Sequence, residues 1–417
     1  MLMRFAQVAP DGSYSRPPHA KLSYGTMIFV RAFMMLDAAR FLGRAATIAV
    51  RYSAVRRQFP RDDGRGEEAV LNYQTQQATL LPLVALSYAL FATGWHMKRV
   101  YLRLQQGLGS GDMSSLPEVH ATCAGLKAVA SALASDGIEA CRKACGGHGY
   151  SKFSGLVDLF QDYVPACTYE GDNTVMLQQT ARYLLKAVAA VGRGEAASLP
   201  DGLSYLKAFD ARYTCPESAE AWEDPSVGLR ALEHCAAALA LGVGKEVAQL
   251  AKREATSGTA STAFARAWSA RRIELVRASR AHAELYMAAT FLHAAAEAPP
   301  SIRPALLRLS ALLNAWLVER NLGDLLQAGA ASPASARAVR AALRSLLELV
   351  RPDAVPLVDA FAFSDHYLGS ALGRRDGDVY NALFEWAQEE PLNATPVAPG
   401  YEEYLAPLLK GDPRARL

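Results

Sequence analysis

The sequence has little charge of either sign in excess. Its 44 Lys and Arg residues nearly balance 41 Asp and Glu over 417 residues, leaving a net charge of +3. No strong field is present to draw in a nucleic-acid backbone or an anionic bilayer, so neither is expected as a partner. No uninterrupted run of 18 or more apolar residues occurs, and no transmembrane helix is expected. Residues 1–18 lack the apolar core of a secretory signal. Cysteine is sparse. The six, at positions 123, 141, 145, 167, 215 and 235, form no C-x-x-C pair and no regular framework. That excludes a disulfide scaffold and fits a reducing compartment. Cys141 and Cys145 stand four apart on a helical pattern, a spacing that suits a metal, but no histidine pattern joins them. Buried free thiols are expected there, and no metal site. Alternating strand patterns are almost absent.

Helical periodicity fills most of the chain. Hydrophobic residues make up 51% and charged residues 20%, an ordinary balance for a chain with a sizeable core. Residues 1–22, with three prolines and a Gly12-Ser13 turn, read as a tail or strand remnant. A long helical pattern opens at Ser23 and runs to about Val55. A polar loop at 60–69 follows, then a helix from about 70 to 106, glycines at 107, 109 and 111, and a helix over about 116–145 with Pro117 in its first turn. A fourth helix follows residue 173. Four long helices with mostly short connections predict an antiparallel bundle over 23–192. Residues 191–203, rich in glycine, are the clearest linker. Beyond them, alanine-rich helical patterns recur near 226–255, 263–296, 305–327 and 336–350 without a fixed period, which predicts a second helical bundle over 204–390. A proline-rich tail occupies 391–417. The expected fold class is therefore all-α, two consecutive antiparallel helical bundles.

The chemistry concentrates between Cys141 and Lys186. A Gly146-Gly147-His148-Gly149-Tyr150 turn is followed about twenty residues later by Tyr169-Glu170-Gly171-Asp172-Asn173-Thr174. Leu177, Ala181, Leu184 and Val188 then carry a helical repeat, for which Asp172 or Asn173 is a natural N-cap. Glu170 thus lies just outside a helix start, beside a glycine, in a largely apolar run. Position alone also allows a surface carboxylate stabilised by the helix dipole. A partly buried carboxylate, however, accepts a proton readily and suits a general base.

Ala-Cys-Gly-Gly-His-Gly-Tyr at 144–150 and the run from Cys167 to Arg182, in that order and spacing, resemble the peroxisomal acyl-CoA oxidases of the acyl-CoA dehydrogenase superfamily. Arg56-Arg57-Gln58-Phe59 matches the superfamily's R-x-Q-F motif, and residues 359–386 resemble the C-terminal region of the same oxidases. The resemblance implies that Glu170 is the catalytic base and that Gly171 lies beside the substrate. It implies that Arg56 and Gln58 reach the pyrophosphate and adenosine of an FAD held by the neighbouring subunit of a homodimer. A planar guanidinium suits phosphate oxygens. Gly146, Gly147 and Thr174 are implied as further FAD contacts, the two glycines by allowing close backbone approach. Lys143 departs from the pattern, since related dehydrogenases have glutamine there.

The implied reaction takes a fatty acyl-CoA and molecular oxygen to a trans-2-enoyl-CoA and hydrogen peroxide, in peroxisomal fatty acid β-oxidation. The last three residues, Ala415-Arg416-Leu417, fit a peroxisomal address of the SKL type, read by an import receptor. The family places a helical domain and a β-barrel ahead of this region, and neither is in this sequence. The other reading is therefore a catalytically silent helical module that assembles with longer subunits. Adjacent Asp365 and His366 are read as structural, because neighbours on a helix do not face each other.

Overall fold

The computed structural model describes residues 6–16, 25–61, 64–255 and 259–411. The predicted targeting tripeptide at 415–417 lies outside the described residues. Among the described residues the architecture is helical, with two small hairpins. In the tail, β1 (Gln7–Val8) pairs antiparallel with β2 (Tyr14–Ser15). The first long helix, α1 (Gly25–Val55), buries Met35, Leu42, Ile48 and the alanines between them. It leads directly into β3 (Arg57–Pro60), which pairs antiparallel with β4 (Glu67–Ala69). The segment expected as a plain polar loop is thus a hairpin. Short side-chain periodicity over three or four residues does not separate the two.

Helix α2 (Gln74–Gly109) begins four residues later than its apolar pattern suggested. Val70–Asn72 form a 3-10 turn and Tyr73 is extended, which lets the Tyr73 hydroxyl donate to the Gln58 carbonyl at 2.7 Å. Next come α3 (Leu116–Ala144), α4 (Leu156–Tyr163) and α5 (Asn173–Gly192). Asp172 is the N-cap of α5: its carboxylate accepts from the backbone N–H groups of Thr174 and Val175 at 2.9 and 3.2 Å.

The second half contains α6 (Ser204–Lys207), α7 (Pro225–Glu254), α8 (Ala260–Ala270), α9 (Arg272–Ala296), α10 (Arg303–Arg320), α11 (Leu322–Gln327) and α12 (Pro333–Val350). Two patterns that look continuous in the sequence are each split. Arg271 separates α8 from α9, and Asn321 separates α10 from α11. Asn321 leaves helical geometry with its amide donating to buried Glu284 at 2.9 Å, a contact invisible in the local pattern. The chain closes with α13 (Ala354–Asp359), α14 (Asp365–Leu368), α15 (Val379–Glu389) and α16 (Ala406–Leu409).

Both halves contribute to one large apolar core, with α9 packed on α2, α3 and α5. Helices α2 and α7 are long and apolar enough to cross a membrane, but 67% and 61% of their most apolar windows are buried within the fold. Cys123, Cys141, Cys145, Cys215 and Cys235 are buried free thiols.

Arg51, almost fully buried, fastens the C-terminal segment to α1. Its guanidinium donates to the Asp359 carboxylate at 2.8 Å and to the Gly373 carbonyl at 2.7 Å. Asp365 stands 3.5 Å from the same guanidinium and also accepts from the Arg375 N–H. That is a structural duty, and His366 beside it is exposed.

Candidate functional site

Two groups of sequence-selected residues form two separate places. The first is a groove of about 630 Å³ at the C-terminal ends of α1 and α3, lined by Arg56, Gln58, Phe59, Tyr73, Gly146 and Gly147 among others. Arg56 emerges where α1 ends. Its guanidinium donates to Gln58 Oε1 at 2.8 Å and to the Tyr380 hydroxyl at 3.1 Å. The Tyr380 bond raises the Arg56 pKa further, so the cation is permanent. Gly146 and Gly147 floor the groove, and a Cβ added at either would meet nothing within 4 Å. Their backbone therefore faces open space. Tyr52 lies beneath, its phenol pushed up to about 12, first by burial and then by Tyr380.

The second place surrounds Glu170. Glu170 adopts a left-handed conformation, φ 57°, uncommon for a side-chain-bearing residue. Gly171 follows at φ 110°, where a Cβ would strike Met176 at 2.6 Å, so glycine is the residue that fits. Buried Arg31, on α1, donates from Nε to the Glu170 carbonyl at 2.9 Å and stands 3.8 Å from Glu170 Oε2. That carboxylate oxygen is buried, yet it accepts no hydrogen bond among the described residues. Buried Lys127, on α3, donates to the Gly171 carbonyl at 2.6 Å and to Asn173 Oδ1 at 2.8 Å. Thr174 sits exposed in the first turn of α5.

The chain brings Arg56, Gln58, Gly146 and Gly147 together, and Glu170, Gly171 and Thr174 together, but keeps the two sets apart. Arg31 holds Glu170 near the start of α1, and Arg56 follows its end. At the α-helical rise, the stretch from Arg31 to Val55 spans about 36 Å. Lys143 is exposed and pairs with Glu139 at 3.4 Å rather than lining the groove. Gln76 lines it instead, donating to the Ala144 carbonyl and Ser53 Oγ at 2.9 Å each.

Sequence reasoning missed Arg31, Lys127, Gln76 and Tyr380. For the first two a signal existed. Each is a lone cation in an apolar or small-residue helix run, Phe29–Leu36 and Gly125–Leu133, which calls for a buried partner. Tyr380 had none, since it reaches the groove through long-range contacts of the C-terminal segment, among them those of Arg51 and of Phe153.

Residues 24–185 match the family model for the acyl-CoA oxidase C-alpha1 domain, and residues 224–410 match that for acyl-CoA oxidase. The chain belongs to the acyl-CoA oxidase family. It is 43% identical to the rat peroxisomal acyl-coenzyme A oxidase 1 over 410 residues, covering 98% of this chain and 61% of the relative. For the human protein of the same name the identity is 43%, with 96% and 61% covered. The solved Arabidopsis thaliana acyl-CoA oxidase 1 superposes with a TM-score of 0.90 at 40% identity, covering 99% of this chain and 61% of that one. A Caenorhabditis elegans acyl-CoA oxidase-2, bound with FAD, ascaroside-CoA and ATP, gives a TM-score of 0.90 at 37% identity, with 100% and 61% covered. The chain thus spans about 61% of the length of these relatives.

Proposed function

We propose that this chain forms the base-bearing and part of the flavin-contacting portion of a peroxisomal acyl-CoA oxidase. The reaction oxidises a fatty acyl-CoA with molecular oxygen to a trans-2-enoyl-CoA and hydrogen peroxide. The observation that carries this reading is Glu170: a buried carboxylate oxygen with no hydrogen-bond donor among the described residues, fixed on a strained turn. Polar groups left unsatisfied in a core are costly and cluster where function needs them. Glu170 removes the α-proton of the thioester, and the nearby Arg31 guanidinium steadies the carboxylate before transfer. Gly171, with no side chain, leaves the approach clear.

The groove fits a dinucleotide. Arg56 offers a planar cation for a pyrophosphate, Gln58 an amide for an adenosine, and Gly146 and Gly147 a bare floor. Bound there, FAD would supply the hydride acceptor for the substrate β-carbon. Thr174, exposed beside Glu170, would contact the cofactor on that side. The separation of about 36 Å along α1 argues that one chain's groove and its own Glu170 serve different cofactors. A homodimer in which each groove completes the partner's site resolves this.

Arg56→Ala tests the arrangement. A lost charge-assisted contact is worth roughly 1.5–3 kcal/mol, so FAD affinity should fall about 10- to 100-fold, read by flavin fluorescence titration. Mixing Arg56→Ala with Glu170→Gln chains should restore some intact sites. A fully flavinated, active Arg56→Ala protein refutes the cross-subunit contact.

The protein works in the peroxisome, the compartment in the names of its curated relatives. The import receptor reads Ala415, Arg416 and Leu417. Deleting these three residues from a fluorescently tagged chain should turn a punctate pattern diffuse, and unchanged puncta would refute the signal.

A further inference from the structure

The turn carrying Glu170 is held by two buried cations. Glu170 and Gly171 both have positive φ, 57° and 110°. At Glu170, which carries a side chain, that conformation is strained, and such strain persists only where the surroundings over-determine it. Here strained Glu170 and the glycine after it each give a carbonyl to a different cation: Glu170 O to Arg31 Nε at 2.9 Å and Gly171 O to Lys127 Nζ at 2.6 Å. Lys127 does more. Fully buried, it also donates to Cys167 O at 3.3 Å and Asn173 Oδ1 at 2.8 Å, so it spans the loop from before Glu170 to the start of α5. Three acceptors match the three protons of an ammonium. Ser131, one turn further along α3, bonds the same Asn173 amide at 2.9 Å.

We propose that Lys127 is a positioning residue for Glu170, fixing the turn so that the carboxylate keeps one orientation toward the substrate. The proposal rests on the reading of Glu170 as the base. Removing Lys127 leaves the carboxylate in place chemically but lets the strained turn relax.

The charge of Lys127 matters as well. Burial, the largest influence, lowers its pKa to about 8. Cys167, Asp172 and Glu170 support the charged form, whereas Arg31 opposes it. The sign follows. Below this value all three protons are present. As pH rises through it, the neutral amine keeps two, and one of the three loop contacts is lost.

The test compares Lys127→Met, Glu170→Gln and the parent in the flavin-loaded, acyl-CoA-oxidising protein. Lys127→Met should lower kcat about tenfold or more with KM within about twofold, and should remove an alkaline fall in kcat centred near the Lys127 pKa of about 8. A merely structural lysine would not carry that limb. A Lys127→Met kcat within about twofold of the parent, alongside a crippled Glu170→Gln, overturns the proposal but leaves the base intact. A Glu170→Gln enzyme close to parental turnover sinks the base and the positioning role with it.

Lys127→Gln, which keeps two donors, stands in if the methionine variant does not fold. If neither variant folds, hydrogen exchange in the unsubstituted protein decides. Corrected for intrinsic rates, protection of residues 168–174 should fall about tenfold relative to α3 between about pH 7 and 9.5. No relative change refutes the role.

Discussion

Glu170→Gln lowers turnover by about 10²–10⁴-fold, the range expected for loss of a positioned general base, while flavin stays bound. Glutamine keeps the size of the side chain and can still face Arg31, whose side chain is only 4% exposed. What it loses is the ability to take a proton. Because Arg31 reaches the Glu170 main-chain carbonyl as well as the side chain, the turn itself should survive the substitution. The measurement is peroxide release from a saturated acyl-CoA, with the visible flavin band recorded on the same sample. Activity within about tenfold of the parent, at full flavin content, would remove Glu170 from the mechanism.

Gly149→Ala should cost both the fold of the groove and its cofactor. A Cβ at this position would lie 1.9 Å from the Arg142 carbonyl oxygen, in the last turn of α3. Backbone cannot yield to that contact as a flexible side chain can, so the Gly146–Tyr150 turn must move away as a unit. Overpacking of this kind costs about 1–3 kcal/mol, sometimes more, and the moved turn carries Gly146 and Gly147. A lowered melting temperature with loss of flavin is the expected pair of results. Gly147→Ala is the informative contrast. Its Cβ would meet no protein atom within 4 Å, so the melting temperature should hold. If the backbone there lies against FAD, the methyl nevertheless weakens cofactor binding. A Gly147→Ala protein with parental flavin affinity would place the cofactor elsewhere in the groove.

Much of the candidate site is legible in the order of residues alone. Glu170 is a carboxylate followed by glycine at the start of an amphipathic helix, a place that suits a surface carboxylate as well, and the resemblance to the oxidases singles it out as the base. Arg56 and Gln58 are singled out by their match to the superfamily's R-x-Q-F motif, and Gly146 and Gly147 by the oxidase-like Gly-rich turn. These are local signals, carried by residues within a few positions of one another. The starts of α3 and α5 follow from the same kind of information: a proline in the first turn of α3, and an acidic N-cap before α5.

Other features rest on contacts between distant segments. Asn321 divides α10 from α11 because its amide serves Glu284, 37 positions away. Tyr380 reaches Arg56 across 324 positions, and it does so because Arg51 anchors the C-terminal segment along α1. Arg31 meets Glu170 across 139 positions. Periodicity and propensity describe a residue's neighbours in sequence, so they cannot specify such meetings. The sequence by itself determined the helical architecture and singled out the proposed base and the residues proposed for the flavin groove. Only the tertiary structure decided that the groove and Glu170 lie at opposite ends of one helix, and that two buried cations hold the turn that carries Glu170. Those facts depend on how helices pack, and packing is settled by burial and long-range hydrogen bonding across the whole core.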